Sequence, residues 1–230
     1  MLLALDTSTQ YVGLALFDGI QIYGETIWQT RGHHTVEVVP ALKDLYQRCG
    51  IQPSDIEAIS VALGPGSFTS LRIGLAVAKG LALAGRIPLI GVPTLDILAA
   101  AQPLKNLPLV ALLHAGRGRL AAGLYQVGRR GWESQGEAYI TTADTLFEGI
   151  QSPTIVCGEL NASERQTLNR NRKLIILASP AQSLRRPSFL AEIGLQVAQN
   201  PTIEMPLVTS AHSPAIIGGG RGPDSCRRRI

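Results

Sequence analysis

The sequence predicts an α/β fold of two lobes, each a mixed sheet with helices, the second lobe smaller or degenerate. Three observations carry this reading. The chain opens as a strand, a polar turn and two returning strands; at Thr35 the hydrophobic period switches to that of a helix; and beyond residue 102 a strand, turn and strand recur at lower clarity. With 230 residues, 45% of them hydrophobic and 17% charged, the chain can bury one large core or two modest ones.

Leu2 to Leu5 is an apolar strand, Asp6-Thr7-Ser8-Thr9 a polar turn, and Tyr11 to Phe17 the returning strand. Asp18-Gly19 is a hairpin signal leading into a third strand, Ile20 to Trp28. Val38, Leu42, Leu45 and Cys49 then fall on one helical face, with Thr35 as N-cap, Pro40 near the end of the first turn and Gly50 as the C-terminal stop. Ile56 to Leu63 is a strand that breaks at Gly64-Pro65-Gly66-Ser67 into a second helix running to Gly85. Ile87 to Val92 is the next strand, and a short helix from Pro93-Thr94 reaches Ala101. The segment Gln102 to Pro108 is a natural boundary. Beyond it, Leu109 to Leu113, Leu120 to Val127, Thr154 to Cys157 and Leu174 to Leu177 are strands, and Thr141 to Ile150 and Ser188 to Gln199 are helices. The expected organisation is a first lobe over 1–102, a second over 103–205, and a Gly/Arg-rich disordered tail over 206–230 that includes Gly218 to Gly220.

Composition excludes several classes. The apolar run Ile73 to Ala84, broken by Gly74, Lys79 and Gly80, falls short of the roughly 18 apolar residues of a membrane span, and the apolar N-terminus lacks the basic flank of a secretion signal. No membrane partner is expected. Cys49, Cys157 and Cys226 are odd in number and lack C-x-x-C spacing, which argues against a disulfide framework and a zinc site and fits a reducing cytoplasm. The net charge of +4 is matched by Arg221, Arg227, Arg228 and Arg229 in the tail, so the remainder is close to balance.

The turn Asp6-Thr7-Ser8-Thr9 could present backbone N–H groups and hydroxyls to a phosphate while Asp6 holds a water or cation; such a turn equally serves as a tight bend that satisfies its own backbone. Gly64 to Thr69, between strand and helix, lacks the lysine of a P-loop, and its glycines fit a sharp turn with Ser67 or Thr69 as cap. The helix that follows carries Leu71, Ile73, Leu75, Val77, Leu81 and Leu83 around its circumference, which predicts cover on two sides. Ala76, Gly80 and Ala84 form a small-residue ridge flanked by Arg72 and Lys79, suited to a close helix contact within the chain or with a second molecule. His33-His34 lacks the spacing of metal ligands, and His114 and His212 are isolated; no metal site and no catalytic residue is expected.

Taken together, L-L-A-L-D-T-S-T, R-G-H-H-T-V-E-V-V-P-A-L, the stretch Ala58 to Ala82 and P-L-I-G-V-P-T-L resemble the bacterial TsaB (YeaZ) family over about the first 100 residues. The resemblance implies an actin-like ATPase (ribonuclease H-like) fold and a non-catalytic subunit that pairs with a TsaD-type catalytic subunit. With a TsaE-type ATPase, these form N6-threonylcarbamoyladenosine beside the anticodon of tRNA. It implies a vestigial phosphate loop at Asp6, Thr7 and Ser8, and no tightly bound cofactor, with ATP or ADP expected at the interface of the complex. It further implies a partner interface on two helices, taken here as Arg31, His34, Val38, Leu42, Leu45, Arg72, Ala76, Lys79 and Gly80, through which the chain could also form a homodimer. His114-Ala115-Gly116-Arg117 stands where the family has a D-A-R-like turn, and the tail replaces the family's C-terminal ending. The alternatives are an autonomous ATPase or small-molecule kinase of the same fold, which the missing second-lobe acid opposes, and a glycoprotease, which the absence of zinc-ligand spacing opposes.

Overall fold

The computed structural model describes residues 1–200; the expected tail lies outside the described residues. β1 (Leu2–Asp6), β2 (Tyr11–Phe17) and β3 (Ile22–Gln29) form an antiparallel meander. β4 (Ala58–Ala62) joins β1 in parallel and β5 (Leu89–Val92) joins β4, giving a sheet of order β3-β2-β1-β4-β5. Parallel pairing at β1, β4 and β5 requires crossovers, and two helices supply them. These are α1 (His34–Cys49) and α2 (Phe68–Gly85).

α1 begins two residues earlier than the N-cap reading of Thr35 implies. His33 takes the cap position, its carbonyl accepting from the N–H groups of Val36 and Glu37, and Pro40 lies in the second turn. The shift has a cause: the ring of His34 turns inward, with Nε2 at 2.9 Å from the carbonyl oxygen of Thr9, so residue 34 must already be helical. At the other end Gly50 takes φ 66° and returns its N–H to the last turn, a conformation that costs least at glycine.

α2 meets the sheet through small side chains. Ser70, Gly74, Ala78 and Ala82 are its buried residues, spaced by four to make a ridge that brings the helix backbone close to β1. Gly74 is the tightest point, where a Cβ would overlap the Thr7 side chain. By length and composition alone α2 would pass for a membrane span, contrary to the reading from the apolar run Ile73 to Ala84, because the helix also takes in Phe68 and Leu71. It lies instead along the sheet, its contacts made to β4, β1 and β5.

The second sheet is built from β6 (Leu109–His114), β7 (Leu120–Gly128), β8 (Gly131–Ser134), β9 (Tyr139–Thr141), β10 (Thr154–Gly158) and β11 (Ile175–Leu177). Its order is β11-β10-β6-β7-β8, with β9 also paired to β7. It therefore has one strand more than the first sheet and is not the lesser of the two. α3 (Thr94–Ala100) covers one face, while α4 (Ala143–Gly149) and α5 (Ala162–Leu168) cover the other. The last helix, α6 (Pro187–Gln199), returns to the first lobe. Its Leu190 and Ala191 pack with Leu2, Ala4, Ala15, Phe17, Ala62 and Val92, on the opposite face from α1 and α2. Residue 102 thus separates the strands of the two sheets, but helix 187–199, counted above with the second lobe, belongs to the core of the first.

The two faces of α2 give opposite expectations for glycine substitution. Gly74→Leu should lower the denaturation midpoint, at a cost of about 1–3 kcal/mol from overpacking. Gly80→Ala, where an added Cβ meets nothing within 4 Å, should stabilise by about 0.5–1 kcal/mol. Urea unfolding followed by circular dichroism reads both.

Candidate functional site

The turn after β1 lies at the apex of the cleft between the lobes, and its polar groups are already spoken for. Asp6 is 2% exposed. Its Oδ1 accepts the N–H of Ser8 at 2.8 Å and the Ser8 hydroxyl at 2.5 Å, and its Oδ2 accepts Nε of Arg185 at 2.7 Å. Thr7 donates its hydroxyl to the carbonyl of Ser70 in α2 at 2.7 Å, and the Ser8 hydroxyl is 3.0 Å from that of Thr94 at the start of α3. The three residues expected as a phosphate loop are thus brought together, but they tie α2, α3 and the chain before α6 to the end of β1.

Arg185 is the residue that sequence reasoning missed. It is 2% exposed. Beyond Asp6 it donates to Glu159, at the end of β10, and to the Thr9 hydroxyl and Tyr11 carbonyl at 2.9 and 3.1 Å. One guanidinium therefore joins an acid of the first lobe to an acid of the second. Burial opposes its charge, but Asp6 and Glu159 together outweigh that and raise its pKa. Burial pushes the Glu159 carboxyl above the usual carboxylate range; Arg185 pulls the other way, and the nearby charge of Asp6 adds to the rise. Glu159 is a second-lobe acid at the cleft, distinct from the acid expected to be missing at His114-Ala115-Gly116-Arg117, which has none. Nothing in the spacing of Arg185-Arg186-Pro187 marks it, because its partners lie 179 and 26 residues away.

Below the apex a cleft of roughly 890 Å³ opens between Thr9 to Tyr11, Gly66 to Phe68, the β6–β7 turn and the start of α5. His114 lies on its second-lobe wall, its Nε2 3.0 Å from Glu164 Oε2. Glu164 also accepts the N–H of Asn161 at 2.8 Å, closing a capping box on α5. The turn His114-Ala115-Gly116-Arg117 is a hairpin bend in which Gly116 and Arg117 take φ 76° and 54°. Among the described residues no group of three His, Cys, Asp or Glu side chains stands close enough to hold a metal ion.

The second candidate region is the outer surface of α1 and α2, and the structure divides the residues proposed there. Val38, Leu42 and Leu45 are at most 5% exposed and belong to the core beneath the helices, and His34 is turned inward to Thr9. None of the four can form an interface, since the apolar period in α1 marks the side facing its own sheet. Arg31, Arg72, Ala76, Lys79 and Gly80 are exposed. The ridge Ala76, Gly80 and Ala84 faces outward, opposite the buried ridge through Gly74. Val36 and Val39 in α1 and Phe68 and Leu83 in α2 are each more than half exposed, with Arg72 stacked 3.7 Å over the Phe68 ring. Sequence reasoning passed over Val36 and Val39 because they lie off the apolar stripe of α1.

A further ion pair positions α6. Glu25 in β3 accepts the N–H and hydroxyl of Ser188 at 3.0 and 2.7 Å, and Nε and Nη2 of Arg186 at 3.0 and 2.5 Å. A strand carboxylate thereby caps the N-terminus of α6. Burial alone would raise its pKa, but the bonds from Arg186 and Ser188 prevail and hold it below the ordinary 4.5.

Two predictions follow from these charges. Arg185→Met should leave Asp6 and Glu159 buried without a countercharge and cost about 3–5 kcal/mol, read as a collapse of Tm at neutral pH. Glu25 has a depressed pKa in the folded state, so its stabilisation is present above pH 4.5 and is lost as pH falls through the folded value. Glu25→Gln should therefore cost about 1–2 kcal/mol at pH 7, and the gap between variant and parent should close on acidification; melting curves across pH 3 to 7 measure it.

Comparison with known proteins gives a consistent picture. The family model described as "TsaD: tRNA N6-adenosine threonylcarbamoyltransferase" matches residues 28–184. The tRNA threonylcarbamoyladenosine biosynthesis protein TsaB of Bacillus subtilis is 38% identical over 125 residues, 54% of this chain and 55% of that protein. The protein of the same name from Escherichia coli is 31% identical over 153 residues, 65% of this chain and 66% of its own length. The matched part thus spans less than two thirds of these two relatives. YeaZ from Pseudomonas aeruginosa superimposes with a TM-score of 0.70 at 24% identity, covering 87% of this chain and 93% of the other, which establishes a shared fold.

Proposed function

We propose, on the premise that this chain belongs to the tRNA N6-adenosine threonylcarbamoyltransferase family and within it to the TsaB (YeaZ) branch, that it is an accessory subunit without catalysis of its own. It pairs with a TsaD-type catalytic subunit in the complex that forms N6-threonylcarbamoyladenosine beside the anticodon of tRNA. A TsaE-type ATPase and the tRNA join through that complex, and ATP or ADP binds at its interfaces rather than in this chain alone. The observation that carries the non-catalytic part is Arg185. Its guanidinium stands against Asp6 and fills the position where a working phosphate loop would need open donors and a cation. Pairing is supported by the exposed apolar surface of α1 and α2: isolated apolar side chains on a surface are ordinary, but a ridge of Ala76, Gly80 and Ala84 on helices that also expose Val36, Val39, Phe68 and Leu83 offers a close-packed helix contact. The same surface is the route to a homodimer when the catalytic subunit is absent.

The test mixes the full chain with a TsaD-type subunit. Co-elution with a gain of threonylcarbamoyl transfer supports the proposal, whereas robust ATP turnover by the chain alone would favour the autonomous ATPase. Ala76→Glu should leave Tm within about 1 °C of the parent, because the site is exposed, and should weaken pairing by several kcal/mol, since a charge would be enclosed in a packed contact. Unchanged pairing would remove α2 from the interface.

A further inference from the structure

One end of the second sheet gathers cations that no other part of the fold uses. The registers of this sheet place four chain segments at the edge remote from the cleft. Ile155 donates its N–H to the carbonyl of Pro108 just before β6, and Thr154 donates to that of Leu174 just before β11, each at 2.8 Å. β7 runs antiparallel to β6, so its exit into β8 returns to the same edge. On these segments stand Lys105 before β6, Arg129 and Arg130 in the β7–β8 turn, and Arg170, Arg172 and Lys173 before β11. All six are exposed. None enters an ion pair or donates a side-chain hydrogen bond among the described residues. Acids on adjoining segments are Glu133, whose carboxylate lies beside Gly128, and Glu148 at the end of α4, two against six cations. Without these six cations, residues 1–200 hold 11 Lys and Arg against 15 Asp and Glu, so the concentration of positive charge is local.

We propose that this edge is a docking surface for the phosphate backbone of a folded RNA. Four strand intervals of about 4.8 Å set the cations along roughly 19 Å, with clusters at the two ends and Lys105 between them. That span is long enough to follow several successive phosphates. The middle of the edge carries the amide and hydroxyl groups of Asn106, Gln151 and Ser152, all exposed. Such groups bond to phosphate and sugar oxygens; the exposed apolar side chains near them, Leu104 and Val127, are too few among six cations to make the apolar face of a lipid anchor. The contact is one of position and not of sequence, because nothing at the edge is shaped to read bases. It rests on the reading of this chain as a subunit of a tRNA-modifying complex, and it places the RNA on the side of the second lobe away from both the cleft and the α1–α2 surface, so RNA and protein partner can be held at once.

The test uses the full chain with Arg130→Glu, Arg172→Glu and Lys173→Glu combined, beside the parent and an Arg117→Glu control at the cleft end of the same sheet. Affinity for an unmodified tRNA transcript is measured by fluorescence anisotropy over a series of salt concentrations, for the chain alone and for its complex with the TsaD-type subunit. Each lost phosphate contact removes about 0.7–0.9 from the slope of log affinity against log salt. The triple variant should therefore lose roughly 2 to 3 from that slope and at least tenfold in affinity, while the control changes little and both variants co-elute with the catalytic subunit as the parent does. Parental affinity and slope in the triple variant would overturn the proposal while leaving the subunit reading intact. A parent that fails to pair with the catalytic subunit would sink the subunit reading, and the measurement on the chain alone would still decide the edge. Loss in the triple variant of binding to phosphatidylcholine vesicles carrying phosphatidylserine, with tRNA binding unchanged, would reassign the edge to a membrane and overturn it. Melting curves of the variants guard against misfolding, and single reversals at Arg130 and at Lys173 should each give a proportionate part of the slope change.

Discussion

Everything near the cleft depends on one buried cation. The Arg185 guanidinium is removed from water, which is costly for any charge, and it persists because Asp6 and Glu159 lie on either side and Thr9 and Tyr11 accept from its Nη2. Each acid would be equally costly alone. The triad is therefore a mutual requirement: two carboxylates from different lobes can approach only with the arginine between them, and the arginine can be buried only where both meet. The relative placement of the lobes follows from that requirement as much as from apolar packing.

The same requirement settles what the loop after β1 does in this fold. The loop after β1 retains the acid and hydroxyls of a phosphate site, yet Thr7 is spent on the α2 backbone, Ser8 on Asp6 and Thr94, and Asp6 on Arg185. On α2 small residues stand on both sides: one ridge settles the helix on β1, and the opposite ridge, Ala76, Gly80 and Ala84, is exposed.

The regular elements of the first lobe were legible because each carried its own signal. Alternation marked β2 to its observed ends, Gly50 marked the stop of α1, and Gly64 to Ser67 marked the entry to α2. β8, β9 and α5 were missed because they are short and mostly polar or exposed, whereas the equally short β11 and α3 announced themselves by apolar runs. The site was less legible than the fold. Asp6, Thr7 and Ser8 were found, since local order reveals a turn, but Arg185 and Glu159 were not, since only the folded chain brings them to it. The helix stripe of Val38, Leu42 and Leu45 was read as a contact surface when it faces inward; an apolar period announces a buried face without saying whose surface buries it.

The return of α6 to the first sheet has a consequence for how the protein is made. Leu190 and Ala191 complete a core whose other members include Leu2 and Ala4, almost the whole described chain away. On the ribosome the first sheet would leave the exit tunnel with one face bare, and it could not close until the entire second lobe had been synthesised. Contacts of such long range also slow the search for the native state. The lobe that folds as a unit during translation is thus the second one, and the N-terminal strands, first to appear, are among the last to be sealed.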